Sequence, residues 1–143
     1  MAIEGRDYGG YWVWVVPPRQ SFHCWVSVVA LELSGDVKEA KKVSLSLPVA
    51  KDVPDPSGVT AHRNGNVIVV SWNPAPAAPE LHYIIIANTC LNGFMFEDVY
   101  KTTNTSISIQ DDKNACDGSK SKGVIRVVNK LGYSDPVTIN WPK

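Results

Sequence analysis

The amino-acid sequence predicts an all-β protein, folded as an antiparallel sandwich or barrel. Apolar residues do not recur at helical spacing along the chain. The apolar positions are dominated by β-branched and aromatic residues, which suit a half-buried pleated surface. Short alternating runs are separated by Gly, Pro, Asn, Asp and Ser, the spacing of strands and turns. A length of 143 residues fits one domain, or one and a fraction. Fourteen basic residues balance fourteen acidic ones, so nothing directs the chain to nucleic acid or to a membrane surface. The longest apolar run, residues 11–18, is too short to cross a bilayer.

The elements follow in chain order. Residues 1–6 read MAIEGR, and Ile3-Glu4-Gly5-Arg6 resembles the factor Xa cleavage site used in expression vectors. This segment is expected to be vector-derived and to stay outside the fold, which then begins near Asp7 as part of something longer. The stretch WVVPPRQSFHCWVSVVAL reads as a strand, a proline corner and a second strand, and AKKVSLSLP reads as a third. Trp12 and Trp14 are expected on the same side as Phe22, Cys24, Val26 and Val28. Three strands bury too little to fold alone. Residues 7–48 must therefore be poorly ordered, pack on the domain that follows, or find a second chain. Residues 49–57 carry prolines and read as a stiff, semi-extended linker ahead of a domain at 58–143.

Seven runs fill that domain. Residues 57–62 form a short edge strand, and 66–72 place Ile68, Val70 and Trp72 on one face. Pro74, Pro76 and Pro79 then forbid further pairing. Residues 82–88 turn Tyr83, Ile85 and Ala87 inward; 94–101 form the fourth run; 105–109 turn Ile107 and Ile109 inward. Residues 123–129 turn Ile125 and Val127 inward, and 135–141 close the series.

On these residues the second half resembles a fibronectin type III domain. The matching pieces are PSGVTA at its start, VIVVSW in strand B, HYII in strand C, TSISI in strand E, and IRVVNKLGYSDP through strand F, the FG turn and the start of G. The resemblance implies an immunoglobulin-like Greek-key sandwich, strands A, B and E facing C, C′, F and G, with Trp72 as a core plug rather than a ligand platform. It also makes residues 7–48 look like strands E, F and G of an incomplete preceding unit. There Val16, Pro18 and Phe22 stand at the spacing of the tyrosine corner, with Phe22 unable to give its hydroxyl bond. In the complete unit the corner position holds Ser121.

Cys24 is expected as a buried free thiol. The resemblance brings the loops of Cys90 and Cys116 to one pole, where a disulfide would replace the missing corner and imply an oxidising compartment. The alternative is two unpaired thiols in a cytosolic module. Asn104-Thr105-Ser106 is an N-glycosylation triplet. Residues 111–118 fail the EF-hand pattern and read as a solvated polar loop. His23, His62 and His82 lack ligand spacing, so no metal or cofactor is expected. His23 and Cys24 alternate to opposite strand faces, as do Glu97 and Asp98, and no nucleophile elbow or phosphate loop occurs, so no catalysis is expected. A binding surface falls to Lys130, Leu131 and Tyr133 on the FG turn, or to LNGFMF, where Phe94 and Phe96 share a face, some of the run being core, and Met95 faces the other way.

The resulting expectation is a non-catalytic protein-recognition or adhesion module from the extracellular part of a receptor or matrix protein. Its partner is another protein, with no nucleic acid and no membrane contact. The alternatives are a homodimer formed through residues 7–48 and an intracellular scaffold module of the same fold.

Overall fold

Runs of β-branched and aromatic residues become strands wherever a turn residue closes them. The computed structural model describes residues 1–43, 47–112, 116 and 120–143. Its strands are β1 (Ile3–Arg6), β2 (Trp12–Val15), β3 (Cys24–Ser27), β4 (Thr60–Asn64), β5 (Val67–Ser71), β6 (His82–Leu91), β7 (Phe94–Thr102), β8 (Ser106–Gln110), β9 (Lys122–Asn129), β10 (Gly132–Tyr133) and β11 (Val137–Ile139).

From β4 onward the chain forms two antiparallel sheets. One has the order β4-β5-β8, and the other runs β10-β9-β6-β7 with β11 also on β9. This is the A-B-E against C′-C-F-G division that the resemblance implies. Alternation decides what lies between the sheets. Ile68, Val70, Trp72 and Ile109 come from one side; Tyr83, Ile85, Ala87, Ile125, Val127 and Ile139 come from the other. Trp72 is 5 % exposed, and its ring meets that of Tyr83 at 5.2 Å and 59°, a tilted contact that aromatic quadrupoles favour. Ile107 sits at the margin of this core, partly buried. Between β6 and β7, Asn92 and Gly93 both adopt positive φ (50° and 84°). That conformation suits a two-residue turn between twisted antiparallel strands, and Asn-Gly is the pair that tolerates it.

Residues 1–47 depart from expectation in three ways. First, the segment set aside as foreign is β1. It pairs with β2 on one side, and on the other Arg6 N–H donates to Lys41 O at 2.9 Å while Val43 N–H donates to Arg6 O at 3.0 Å. The backbone N–H and C=O of Arg6 are thus both paired inside the fold. Second, β2 and β3 are neighbours in one sheet, β1-β2-β3, rather than E and F strands of opposite sheets. The expected third strand touches β1 at Lys42, and its residues 44–46 lie outside the described residues. Third, Val13 and Val15 form the buried face of β2. Trp12 and Trp14 take the other face, Phe22 is exposed, and Cys24 is a partly exposed free thiol.

Trp12 is drawn to that other face by a second apolar surface. Together with Tyr11 it packs on Ile84, Val128 and Tyr133, the outer side of the larger sheet. Packing on the following domain, one of the three fates open to residues 7–48, is observed at this seam. Asp7 anchors the seam. It is fully buried and accepts the N–H groups of Tyr11 (2.9 Å) and Trp12 (3.2 Å) and the hydroxyl of Tyr133. Burial first, then the charge of Asp7, push the hydroxyls of Tyr133 and Tyr11 above the ordinary tyrosine pKa, so both stay protonated. Asp7→Ala strands three donors and is expected to cost about 2 kcal/mol. In limited proteolysis it should expose residues 1–47 while residues from 53 onward survive. Cleavage identical to wild type would refute this anchoring role.

Residues 49–57 are not a free spacer. Tyr133 N–H donates to Pro48 O and Ala50 N–H donates to Tyr133 O, both at 2.9 Å, so Val49 runs parallel to Tyr133. Gly132 permits this approach: its φ is +144°, and a Cβ there would lie 2.3 Å from Pro48 O. Val53 is buried in the core, and Asp135 N–H donates to the Asp55 carboxylate at 3.0 Å. The sandwich therefore starts by Val53, not at residue 58, because its core needs that side chain.

Candidate functional site

The strands bring polar groups together at two places. The first is the pole where β6 ends. Cys90 and Cys116 are joined in a disulfide, their Cα atoms 5.8 Å apart. Beside it lies Asp111. The alternation that turns Ile107 and Ile109 toward the core carries on one step further and buries the Asp111 carboxylate. It accepts hydrogen bonds from Arg63 Nη2 (2.6 Å), Trp141 Nε1 (3.0 Å), Cys90 N–H (2.9 Å) and Ser121 Oγ (2.5 Å). Arg63 Nη1 also donates to Asp111 O at 2.9 Å. Reading residues 111–118 as a solvated polar loop is thus corrected at Asp111; residues 113–115 and 117–119 lie outside the described residues.

Burial alone would raise the Asp111 pKa, but the bonds from Ser121, Trp141, the Cys90 amide and Arg63 together outweigh it and hold the carboxyl below its ordinary value. Asp112 is held low as well, by the Asn92 N–H and the Gln110 amide, and so ties the β6–β7 turn to the same pole. Ser121 is the residue at the vacant corner position, and its bond to Asp111 supplies a restraint there. A carboxylate with four donors around it is a structural tie. It has neither a raised pKa nor an open lone pair to act as a general acid or base.

The second place is the seam between the N-terminal sheet and the sandwich. Lys130 and Leu131 are exposed on the turn from β9 to β10, which Asn129 shapes by accepting the Leu131 N–H at 2.8 Å. Tyr133, expected on this surface, is fully buried, because the N-terminal sheet covers it and Asp7 takes its hydroxyl. Next to Lys130 opens a groove of about 260 Å³, lined by Tyr11, Val28, Val29, Glu80 and His82 among others. Tyr11 lies 5.2 Å from the His82 ring and carries the Lys101 ammonium 4.1 Å from its ring centroid. The groove was invisible in the sequence because its two walls are far apart in the chain and meet only when Tyr11 docks.

The remaining expected positions are dispersed. Phe94 (69 % exposed), Met95 (38 %) and Phe96 (47 %) are all on the surface, so none of that run is core. The hairpin carries them clear: of β7, only Tyr100 reaches the inner core and only Val99 the outer apolar cluster. Asn104 is exposed in the turn before β8. His23 pairs with Glu4 at 2.7 Å on the surface and stacks on Trp14. Among the described residues no three His, Cys, Asp or Glu side chains gather as a metal site, and no helix is long and apolar enough to cross a membrane.

Among solved structures, the chain is similar to an Fn3-like protein from Clostridium thermocellum, at 25 % identity and a TM-score of 0.39, over 64 % of this chain and 95 % of that one. It is also similar to an FN3 domain of human collagen XX, at 21 % identity and a TM-score of 0.42, over 66 % of this chain and 99 % of that one. No protein-family model and no curated protein matches it.

Proposed function

We propose that this chain is a non-catalytic protein-recognition module from the extracellular part of a larger protein, and that it binds its partner at the seam groove beside the FG turn. The observation that carries this reading is the groove itself: a concave, partly apolar surface flanked by exposed Leu131 and Lys130 and shaped by both parts of the chain. The Cys90–Cys116 bond supports an oxidising compartment, since such bonds are rare where glutathione keeps thiols reduced. The Asn104 triplet, on an exposed turn, fits the same location.

The test has two arms. Native protein made through a secretory route should carry one alkylatable thiol, Cys24; three would remove the extracellular reading. The immobilised chain is then screened against a panel of purified extracellular proteins. A binder should lose about tenfold or more in affinity with the double variant Lys130→Glu, Leu131→Asp, whose melting temperature should match wild type. Binding indifferent to that variant, or no binder in the panel, would overturn the seam as the recognition surface.

A further inference from the structure

The larger sheet has an open edge. In its order β10-β9-β6-β7, β7 pairs with β6 alone among the described strands. The Asn92–Gly93 turn decides which backbone groups that edge presents. In a two-residue hairpin the flanking residues, here Leu91 and Phe94, exchange hydrogen bonds, and bonded pairs recur at every second residue. Phe94, Phe96, Asp98, Tyr100 and Thr102 therefore turn their amide groups to β6. Met95, Glu97, Val99 and Lys101 present theirs outward, beside three consecutive exposed apolar side chains, Phe94 to Phe96.

We propose that β7 is a self-association edge, at which two copies of this chain pair β7 with β7, antiparallel and centred on Val99. Charge selects both the occupant and the register. Outward-facing residues must lie opposite outward-facing residues, so the two-fold axis passes through a residue. Centring on Glu97, Asp98 or Lys101 sets each of these charges against its own copy. Centring on Tyr100 makes no ion pair. Centring on Val99 sets Glu97 opposite Lys101 twice, Asp98 opposite Tyr100 twice, and Phe96 opposite Thr102 twice, with no like charges facing. Lys101 is already held in place over the Tyr11 ring. A two-fold axis normal to the sheet keeps the inner face of one copy continuous with that of the other, and the interface closes on itself as a dimer. This inference is independent of the seam groove.

Sedimentation velocity on the full chain across a wide concentration range tests it, with a reversible dimer as the expected result. Glu97→Lys and Lys101→Glu should each weaken association about thirtyfold, as two ion pairs become two like-charge pairs. The combined charge swap should restore it to within about threefold. Glu97→Pro removes an outward N–H without touching the β6 ladder and should abolish the dimer at a near-native melting temperature. A chain that stays monomeric at every concentration overturns the proposal. So does a dimer indifferent to the charge swap, which would assign self-association to another surface such as residues 7–48. If Glu97→Pro fails to fold, the charge-swap cycle alone decides.

Discussion

Asp111→Ala is expected to destabilise the protein by about 3–5 kcal/mol, the scale for removing one partner of a buried ion pair. The arithmetic is one-sided. The Asp111–Arg63 pair is shielded, with side chains 2 % and 12 % exposed. Alanine leaves the guanidinium, the Trp141 N–H, the Cys90 N–H and the Ser121 hydroxyl without their acceptor, in space that water does not readily fill. Urea denaturation should read the loss as a lower midpoint at unchanged slope. Asp111→Asn keeps the size and one acceptor oxygen and should lose less. A dependence on pH follows. The folded pKa of Asp111 lies below its value in the unfolded chain, about 3.9. Its contribution is therefore complete above the unfolded value and is lost as pH falls through the folded one. Acid titration of stability should show a steeper decline below about pH 4 in wild type than in Asp111→Asn. Equal declines would mean that this carboxylate is not the tie described.

Trp72→Ala is the second large effect, also expected at about 3–5 kcal/mol, from lost transfer energy and the cavity left between two sheets. Tyr83 makes the loss hard to heal. Its hydroxyl is fixed by accepting the Ala75 N–H at 2.8 Å, so the ring cannot swing freely into the vacated space. Among the described residues the indole N–H of Trp72 meets no acceptor, so Trp72→Phe should cost markedly less. Thermal unfolding of the two variants separates packing from polarity. A loss under about 1 kcal/mol for the alanine would contradict a core role for this side chain.

The sandwich was legible because its strands obey period two and its turns carry Gly, Pro, Asn and Asp. Ile68, Val70, Tyr83, Ile85, Ile125 and Val127 declare their faces without any tertiary information. The polar pole was less legible. Asp111 sits in a stretch whose composition suggests a solvated loop, yet it keeps the phase of Ile107 and Ile109. That phase was the available signal, and its partners Arg63 and Trp141 cannot be found by spacing. Residues 1–47 were misread for a different reason. β2 alternates Trp with Val, so both of its faces are apolar, and the sequence does not say which is buried. Only the outer surface formed by Ile84, Val128 and Tyr133 decides it, by taking Tyr11 and Trp12. The same contact hides Tyr133, which a turn-based reading leaves exposed.

The strip of backbone where Val49 runs alongside Tyr133 bears on how the molecule would respond to force. Two parallel segments pulled from opposite ends slide past one another, so their hydrogen bonds are loaded together rather than peeled in turn. Here those bonds join the entry of the sandwich to β10. Tension applied across residues 48 and 133 would load both bonds of this clamp at once, and Gly132 is the hinge pin that lets the clamp close.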